Sequence, residues 1–470
     1  MKLSFALILL SVCTADARLL ANRGNGNGQG NANGQGNANA NGQGIANANG
    51  PPDFLSNDQL PPGLVDNPSG VVGVDFKAGK APRAQKMYGK PSEGLNIRGL
   101  DQKAIKLDTT TAERINVFHP DQYQQSEDGT YVTDIETGEI IPLTVFYSSD
   151  DENGNDITFA VDSDGSLMNA RVAPKMKDET ETNVLSRIQN FQRLDGTDTL
   201  VGYLDDDIDL SNAPKMADQA VQGVAPVLPD DILAFLEQKK NGDGGTRRAQ
   251  ATNPTTHYGK TCNTWDYLVV DIVTDKLFKN RYSNHYGQTQ AIFNEARSIY
   301  WKESCVYLWI SNYDNTDGNS AWTHPSWNLQ FDTYTQNYMV YSGCTSNYGA
   351  LNFLKDMCKA RFSSYNRDAW HLFTGKQFVD SGTVGCAYTG CKKSDWSYGV
   401  NNMLWSTNVR LQGVLFAHEL GHNLGLEHLT TTDGYWVMEP TINSAPLDLT
   451  NTNAAKTYQT VVGSSTCGWY

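Results

Sequence analysis

The stretch HELGHNLGLEH, residues 418–428, places three histidines, a glutamate and a glycine at fixed spacings. His418 and His422 are four residues apart, so on a helix both side chains project from one face, one turn after the other. Gly425 can adopt the backbone angles that end a helix and turn the chain. His428 can then approach the same point from beyond the turn. The spacing therefore predicts a cation site made by three imidazoles.

The chemistry of these residue types favours a catalytic zinc ion. Three neutral imidazoles around Zn²⁺ leave one coordination position for water, and zinc lowers the pKa of that water toward neutrality. Glu419 is adjacent to His418 and is not needed as a ligand. It is placed to take a proton from the water and to pass it to a leaving amine. We therefore predict peptide hydrolysis with Glu419 as the general base.

The spacing H-E-x-x-H-x-x-G-x-x-H resembles that of the metzincin zinc endopeptidases. Members of that clan also carry a methionine turn downstream of the zinc motif. Here the sequence YWVMEP, residues 435–440, offers Met438, ten residues after His428. The resemblance implies that Met438 is the structural Met-turn residue and lies beneath the zinc ligands.

Within the clan, the sequence is most similar to the reprolysin or ADAM-like group, the M12B type. The segments HLFTGKQF (371–378), GTVGCAY (382–388) and SYGV (397–400) resemble the strands that precede the zinc helix there. The resemblance implies an α/β, zincin-like fold with a twisted, mixed five-stranded sheet and covering helices. It also implies that the strand near 383–388 is the edge of the cleft, where an extended peptide substrate pairs as an additional strand.

The sequence departs from related groups at two positions. Leu429 stands where ADAM-like sequences usually carry Asp after the third histidine. Pro440 stands where astacin-like and serralysin-like members carry Tyr two residues after the methionine. Residues 18–248 contain no cysteine, so a pro-region thiol that blocks zinc is not available.

The beginning of the chain has the form of an export signal. Residues 1–17, MKLSFALILLSVCTADA, combine one Lys, a short apolar run and small residues before a plausible cleavage point, as in a secretory signal peptide. Residues 18–50 are rich in Gly, Asn and Gln and are predicted to be disordered. No later apolar run is long enough for a transmembrane segment. We therefore expect a secreted, extracellular protein.

Residues 51–248 are predicted to form a β-rich propeptide domain. Hairpins are indicated at 130–147 and 157–172, and a short helix at 229–240. The dibasic pair Arg247-Arg248 lies in a Gly-rich stretch and suits a processing protease, with a simple interdomain linker as the alternative. Residues 249–470 carry 15 Lys and Arg against 17 Asp and Glu, so most of the net charge of −15 lies upstream of the pair.

Residues 249–470 are predicted to be the catalytic domain, in which strands alternate with helices. Apolar runs predict strands at 267–273, 306–311, 369–375 and 383–388. Helical spacing predicts helices at 289–303, 348–362 and 408–424, the last capped by Ser406, Thr407 or Asn408.

Composition limits the classes of binding partner that we expect for this chain. The net charge of −15 disfavours nucleic-acid binding. Beyond Cys13 the chain has seven cysteines, all in its second half, so disulfide bonds are expected with one cysteine left over. The expected partners are protein or peptide substrates and the processing protease. The alternative function is a secreted matrix or wall-associated protein with a structural, non-catalytic zinc site.

Overall fold

The structure is a computed structural model. Within the 470-residue chain it describes residues 72–73, 95–98, 104–107, 113–150, 156–161, 167–173, 186–192, 198–204, 255–258, 260–282, 284–339, 349–361, 368–378, 383–390, 397–430, 436–441 and 449–462. The predicted signal peptide, the segment 18–50, the helix at 229–240 and Arg247-Arg248 lie outside the described residues. None of the helices in these ranges has the length and apolar character needed to span a bilayer.

The described residues before 205 include twelve strands that pair antiparallel with one another. They are β1 (Val72–Gly73), β2 (Leu95–Arg98), β3 (Ala104–Leu107), β4 (Glu113–Ile115), β5 (Tyr123–Gln125), β6 (Tyr131–Asp134), β7 (Ile140–Pro142), β8 (Val145–Asp150), β9 (Asp156–Val161), β10 (Leu167–Ala173), β11 (Ser186–Gln192) and β12 (Asp198–Leu204). Seven of them form one sheet in the order β1-β12-β11-β10-β9-β8-β4, while β2-β3 and β5-β6-β7 form smaller sheets. Gly138 turns the β6–β7 hairpin with a φ of +72°.

A second set of strands forms the sheet on which the zinc motif depends. They are β13 (Thr255–His257), β14 (Lys260–Cys262), β15 (Asp266–Thr274), β16 (Val306–Asn315), β17 (Ala369–Thr374), β18 (Gly385–Ala387) and β19 (Tyr398–Asn402). Five of these form a sheet in the order β16-β15-β17-β19-β18. Its neighbours are parallel except for β18, which pairs antiparallel with β19 at the edge. The predicted mixed five-stranded sheet is confirmed.

Six helices accompany this sheet in the described part of the chain. They are α1 (Lys276–Arg281), α2 (His285–Ser304), α3 (Phe331–Asn337), α4 (Ala350–Arg361), α5 (Val409–Asn423) and α6 (Asn451–Val462). Helix α5 carries most of the zinc motif. Of the three candidate caps, Asn408 begins this helix, and its side chain accepts hydrogen bonds from the backbone N–H groups of Arg410 and Leu411.

The core lies on both faces of the five-stranded sheet. Because successive side chains of a strand point to opposite faces, Ile272 and Val273 of β15 enter two different apolar clusters. The first cluster includes Leu415 of α5, and the second includes Phe353 of α4. Helices α5 and α4 therefore cover opposite faces, and α5 is held against the sheet by its own apolar side.

The cysteines divide between bonded and free forms. Cys262 forms a disulfide with Cys305, across a sequence separation of 43 residues. Cys386 is also disulfide-bonded, to a cysteine outside the described residues. Among the described cysteines, Cys358 in α4 is a buried free thiol.

Candidate metal centre

The three histidines of the motif converge on one point. The Nε2 atom of His418 lies 3.0 Å from Nε2 of His422 and 3.0 Å from Nε2 of His428. The Nε2 atoms of His422 and His428 are 3.1 Å apart. In the part of the chain that the structure describes, these three residues are the one group of His, Cys, Asp or Glu placed to hold a metal ion.

Backbone carbonyls fix the orientation of two of the rings. Nδ1 of His418 lies 2.6 Å from the carbonyl oxygen of Val437, and Nδ1 of His422 lies 2.8 Å from that of Leu426. A carbonyl only accepts hydrogen bonds, so each Nδ1 carries the proton and each neutral ring directs a bare Nε2 lone pair inward. Burial, with His422 and His428 nearby, lowers the pKa of His418 well below its usual value and keeps that ring neutral.

This donor set fits zinc. Bare nitrogen lone pairs that face one another at such short range do not hydrogen-bond, and a shared cation would relieve their repulsion. Nitrogens that share one tetrahedral zinc at about 2.05 Å lie roughly 3.3 Å apart. The separations of 3.0 to 3.1 Å are within a few tenths of an ångström of that value. The carbonyl partners on Nδ1 match the usual support of histidine ligands.

A glycine turn brings the third histidine to the other two. Helix α5 ends at Asn423, and Gly425 follows with a φ of +79°, a conformation that glycine adopts without strain. The N–H of Gly425 donates to the carbonyl of His422 at 2.8 Å, which closes the end of the helix. The chain then carries the half-buried His428 back toward the helix, as the sequence predicts.

Met438 lies directly against the zinc-motif helix. It is fully buried, and a Cβ atom added at Gly421 would collide with its sulfur. The N–H of Leu429 donates to the carbonyl of Met438 at 2.9 Å, so the methionine segment is tied to the chain just after His428. Gly421, between the two helical histidines, is therefore what allows the close approach of the methionine segment.

The carboxyl group of Glu419 is buried and faces the edge strand β18. A Cβ atom at Gly385 in β18 would collide with Oε1 of Glu419. Burial raises the pKa of the Glu419 carboxyl well above its usual value. Among the described residues no hydrogen-bond partner of this carboxyl is present, and Glu419 is only 2% exposed. A buried carboxyl with a perturbed pKa and no structural ion pair is typical of a group that exchanges a proton.

A second buried network anchors the end of α5 to the sheet. The amide of Asn423 donates to the carbonyls of Tyr388 at 2.8 Å and Tyr398 at 3.1 Å. Its oxygen lies 3.0 Å from Nε2 of His371 in β17. Burial lowers the pKa of His371 to about 3, so the ring is neutral and its Nε2–H can donate to Asn423. These hydrogen bonds fix the position of the end of α5, where His422 lies, relative to the sheet.

The sequence predicts the four polar residues of the motif but not the residues that support them. Gly385 and Gly421 make room for neighbouring side chains, and Asn423 anchors the end of the helix. A glycine inside a strand marks a close approach of another group, so GTVGCAY did carry a signal at Gly385. The predicted processing residues Arg247 and Arg248 are not among the described positions.

Comparison with known proteins also indicates a metallopeptidase. Residues 287–429 match the family described as metallopeptidase family M12B, reprolysin-like. This segment begins in α2, includes strands β16, β17, β18 and β19, and ends at Leu429. It therefore contains the whole histidine motif.

Two relatives in Gloydius brevicauda are similar to part of the chain. They are the zinc metalloproteinase-disintegrin-like proteins brevilysin H2a and brevilysin H2b, each 40% identical over 95 residues. These alignments cover 19% of this chain and 21% of each relative, so the chain matches about a fifth of their length. Residues 287–429, which bring three imidazoles to one point, are therefore similar to the reprolysin-like metallopeptidases of family M12B.

Proposed function

We propose that this chain is a secreted zinc endopeptidase that is made as a zymogen. His418, His422 and His428 hold the zinc ion, and Glu419 is the general base. The observation that carries the proposal is the convergence of three Nε2 atoms within 3.1 Å beside a buried carboxyl that faces an edge strand. The family match and the zinc metalloproteinase relatives support the same reaction class.

Each group in the site has a defined task in peptide hydrolysis. Zinc, when bound, acidifies a water molecule and polarises the scissile carbonyl. Glu419 takes the proton of the attacking water and passes it to the leaving amine. The carbonyls of Val437 and Leu426 keep the protons of His418 and His422 on Nδ1, so their Nε2 atoms remain free to coordinate.

The substrate is an extended peptide that pairs with β18. This strand lies at the edge of the sheet, where its outer backbone groups can accept a further antiparallel strand. Gly385 in β18 contacts Glu419, so a peptide on this edge lies beside the general base. Side chains of the peptide alternate between the two faces, and pockets on one face read every second residue.

Secretion and processing complete the proposal. Residues 1–17 direct export, residues 18–50 are a spacer, and residues 51–248 are the pro-region. A processing protease cuts after Arg247-Arg248 and produces a chain that begins near Ala249. The Cys262–Cys305 disulfide supports an oxidising compartment outside the cytosol.

The test compares wild type with Glu419→Ala. Wild type should digest casein, and a chelator should stop the digestion. The variant should keep its zinc and lose proteolysis, because the ligands remain and the base does not. Full activity of the variant would remove the assigned role of Glu419. N-terminal sequencing of the secreted form tests processing, since a fully active form that starts near Arg18 would exclude the zymogen scheme.

A further inference from the structure

The upstream region pairs with the edge of the five-stranded sheet opposite to β18. The N–H of Ile310 in β16 donates to the carbonyl of Val117 at 2.8 Å, and the N–H of His119 donates to the carbonyl of Ile310 at 2.9 Å. Phe118 and Ile310 are thus a parallel bridge. Residues 115–147, here called the edge segment, therefore begin by extending the sheet at β16.

Side chains satisfy the outer backbone groups of β16 on either side of this bridge. The hydroxyl oxygen of Tyr123 accepts the N–H of Tyr313 at 3.0 Å. The guanidinium of Arg297 in α2 donates to the carbonyl of Asn116 at 2.8 Å and to that of Leu308 at 3.4 Å. The edge segment thus occupies positions along β16 that a neighbouring strand would take.

Two buried polar side chains of α2 bind the backbone of the edge segment. Oε1 of Gln290 accepts the N–H of Thr144 at 2.8 Å, and its Nε2 donates to the carbonyl of Pro142 at 2.8 Å. Gln290 is 1% exposed and Arg297 is fully buried. Because a buried amide or guanidinium without its partners is destabilising, these side chains favour a bound edge segment.

The apolar core is also shared between the two regions. Val117, Phe118 and Phe146 of the edge segment belong to the same buried cluster as Ile310 of β16 and Leu415 of α5. The cluster thus joins residues on either side of the predicted cleavage point in the sequence. A cut at Arg247-Arg248 breaks one peptide bond and removes none of these contacts.

The edge segment and the proposed substrate strand use opposite edges of the sheet. Strand β16 is first and β18 is last in the order β16-β15-β17-β19-β18. Four strand spacings separate them, which is roughly 19 Å at about 4.8 Å each. The edge segment can therefore remain on β16 while a peptide pairs with β18.

We propose that residues 115–147 remain bound to the catalytic region after the chain is cut at Arg247-Arg248, and that the processed enzyme is a noncovalent two-chain complex. The proposal rests on the processing step of the proposed function. An exposed β16 would present unpaired backbone groups and invite aggregation. The edge segment prevents this by completing the sheet.

The experiment uses the full chain with Arg247-Arg248 replaced by the recognition sequence of a site-specific protease. After cleavage by that protease, the two chains should elute together from a size-exclusion column at micromolar concentration and separate only in denaturant. Separate elution of two folded chains in native buffer, or loss of the catalytic chain to aggregation while the upstream chain elutes alone, would overturn the proposal. Natural processing and proteolytic activity play no part in the result, so a failure of the proposed function is distinguishable.

A matched pair of glutamines in α2 tests the contact itself. Gln290→Ala removes both hydrogen bonds to the edge segment and should speed dissociation of the cut complex about tenfold. Gln288→Ala removes a buried hydrogen bond of 2.6 Å to Gln412 in α5 and should leave dissociation unchanged. Equal dissociation rates for the two variants would contradict the assigned role of Gln290. If Gln290→Ala does not fold, co-elution of the cut chains that retain Gln290 still decides the proposal.

Discussion

Oε1 of Glu419 lies in the space that a Cβ atom of residue 385 would occupy. A glycine in the edge strand therefore sets how close the carboxyl of the zinc-motif helix comes to the strand on which we place the substrate. This relationship between α5 and β18 matters for the proposed function, because the proposed general base and the proposed peptide substrate must meet at that position.

Gly385→Ala should impair catalysis without removing the metal. The new methyl group displaces the Glu419 carboxyl, and a misplacement of about 1 Å can lower the rate roughly 100-fold. The histidines are not displaced, so the zinc content should stay at the wild-type level. Steady-state kinetics and metal analysis on the same preparation check this. A wild-type kcat would contradict the position assigned to Glu419.

Asn423→Ala should destabilise the catalytic region. The substitution removes the hydrogen bonds that Asn423 makes to the carbonyl of Tyr388 and to Nε2 of His371. It also removes one of the two hydrogen bonds to the carbonyl of Tyr398, which still accepts the N–H of Tyr388 at 3.1 Å. We expect a loss of about 3 kcal/mol in the free energy of unfolding, measured by denaturant titration. Glu427→Ala, an exposed position in the adjacent turn, is the control and should change stability by less than about 0.5 kcal/mol. Similar stabilities of both variants would mean that the network is not structural.

Cys358 should be unreactive in the folded protein. Burial first, and then the charges of Asp271 and Asp314, raise the pKa of its thiol well above the usual value. Since the thiolate is the reactive form, iodoacetamide should not label Cys358 until the protein is unfolded. Peptide mapping by mass spectrometry checks this. Rapid labelling under native conditions would show that α4 opens or that the thiol is accessible.

Asp275 should give stability a specific pH dependence. Its buried carboxyl begins α1 and accepts a hydrogen bond from the N–H of Phe278 at 2.8 Å. Burial raises its pKa from 3.8 to about 6, so the folded state binds this proton more tightly than the unfolded state does. The stability from this group is therefore complete below about pH 4 and is lost as the pH rises to about 6, a change of roughly 3 kcal/mol.

The measurement is urea unfolding of wild type and Asp275→Asn at several pH values between 4 and 7. The variant lacks this titration but shares the other titrating groups, so the difference in unfolding free energy should fall as the pH rises through that window. A difference that does not depend on pH would contradict the assignment.

Local pattern was enough to predict the elements that carry the site. Apolar spacing gave α5 to within a residue at each end, and Gly425 gave the turn that brings His428 back. Strand β16 runs to Asn315, four residues beyond the predicted end. Residues 312–315 are polar, so the sequence does not predict that the strand continues. Their partners come from elsewhere in the fold, as when the guanidinium of Arg361 donates to the carboxylate of Asp314.

The missed features are contacts between positions far apart in the chain. His371 meets Asn423, which lies 52 residues later, and Tyr123 meets Tyr313, which lies 190 residues later. Periodicity reports which face of an element is buried but not which partner covers it. The contact of the edge segment with β16 can therefore be recognised from the structure but not from the sequence pattern.

X-ray absorption at the zinc edge of the processed, active form tests the central claim most directly. We predict one zinc per catalytic chain, bound by three imidazole nitrogens of His418, His422 and His428 and by one oxygen from water. The same measurement on Glu419→Ala should give the same three nitrogens. Absence of zinc from native material, or a fourth ligand from a protein side chain in the processed form, would contradict the assignment as a zinc endopeptidase and favour a structural metal site.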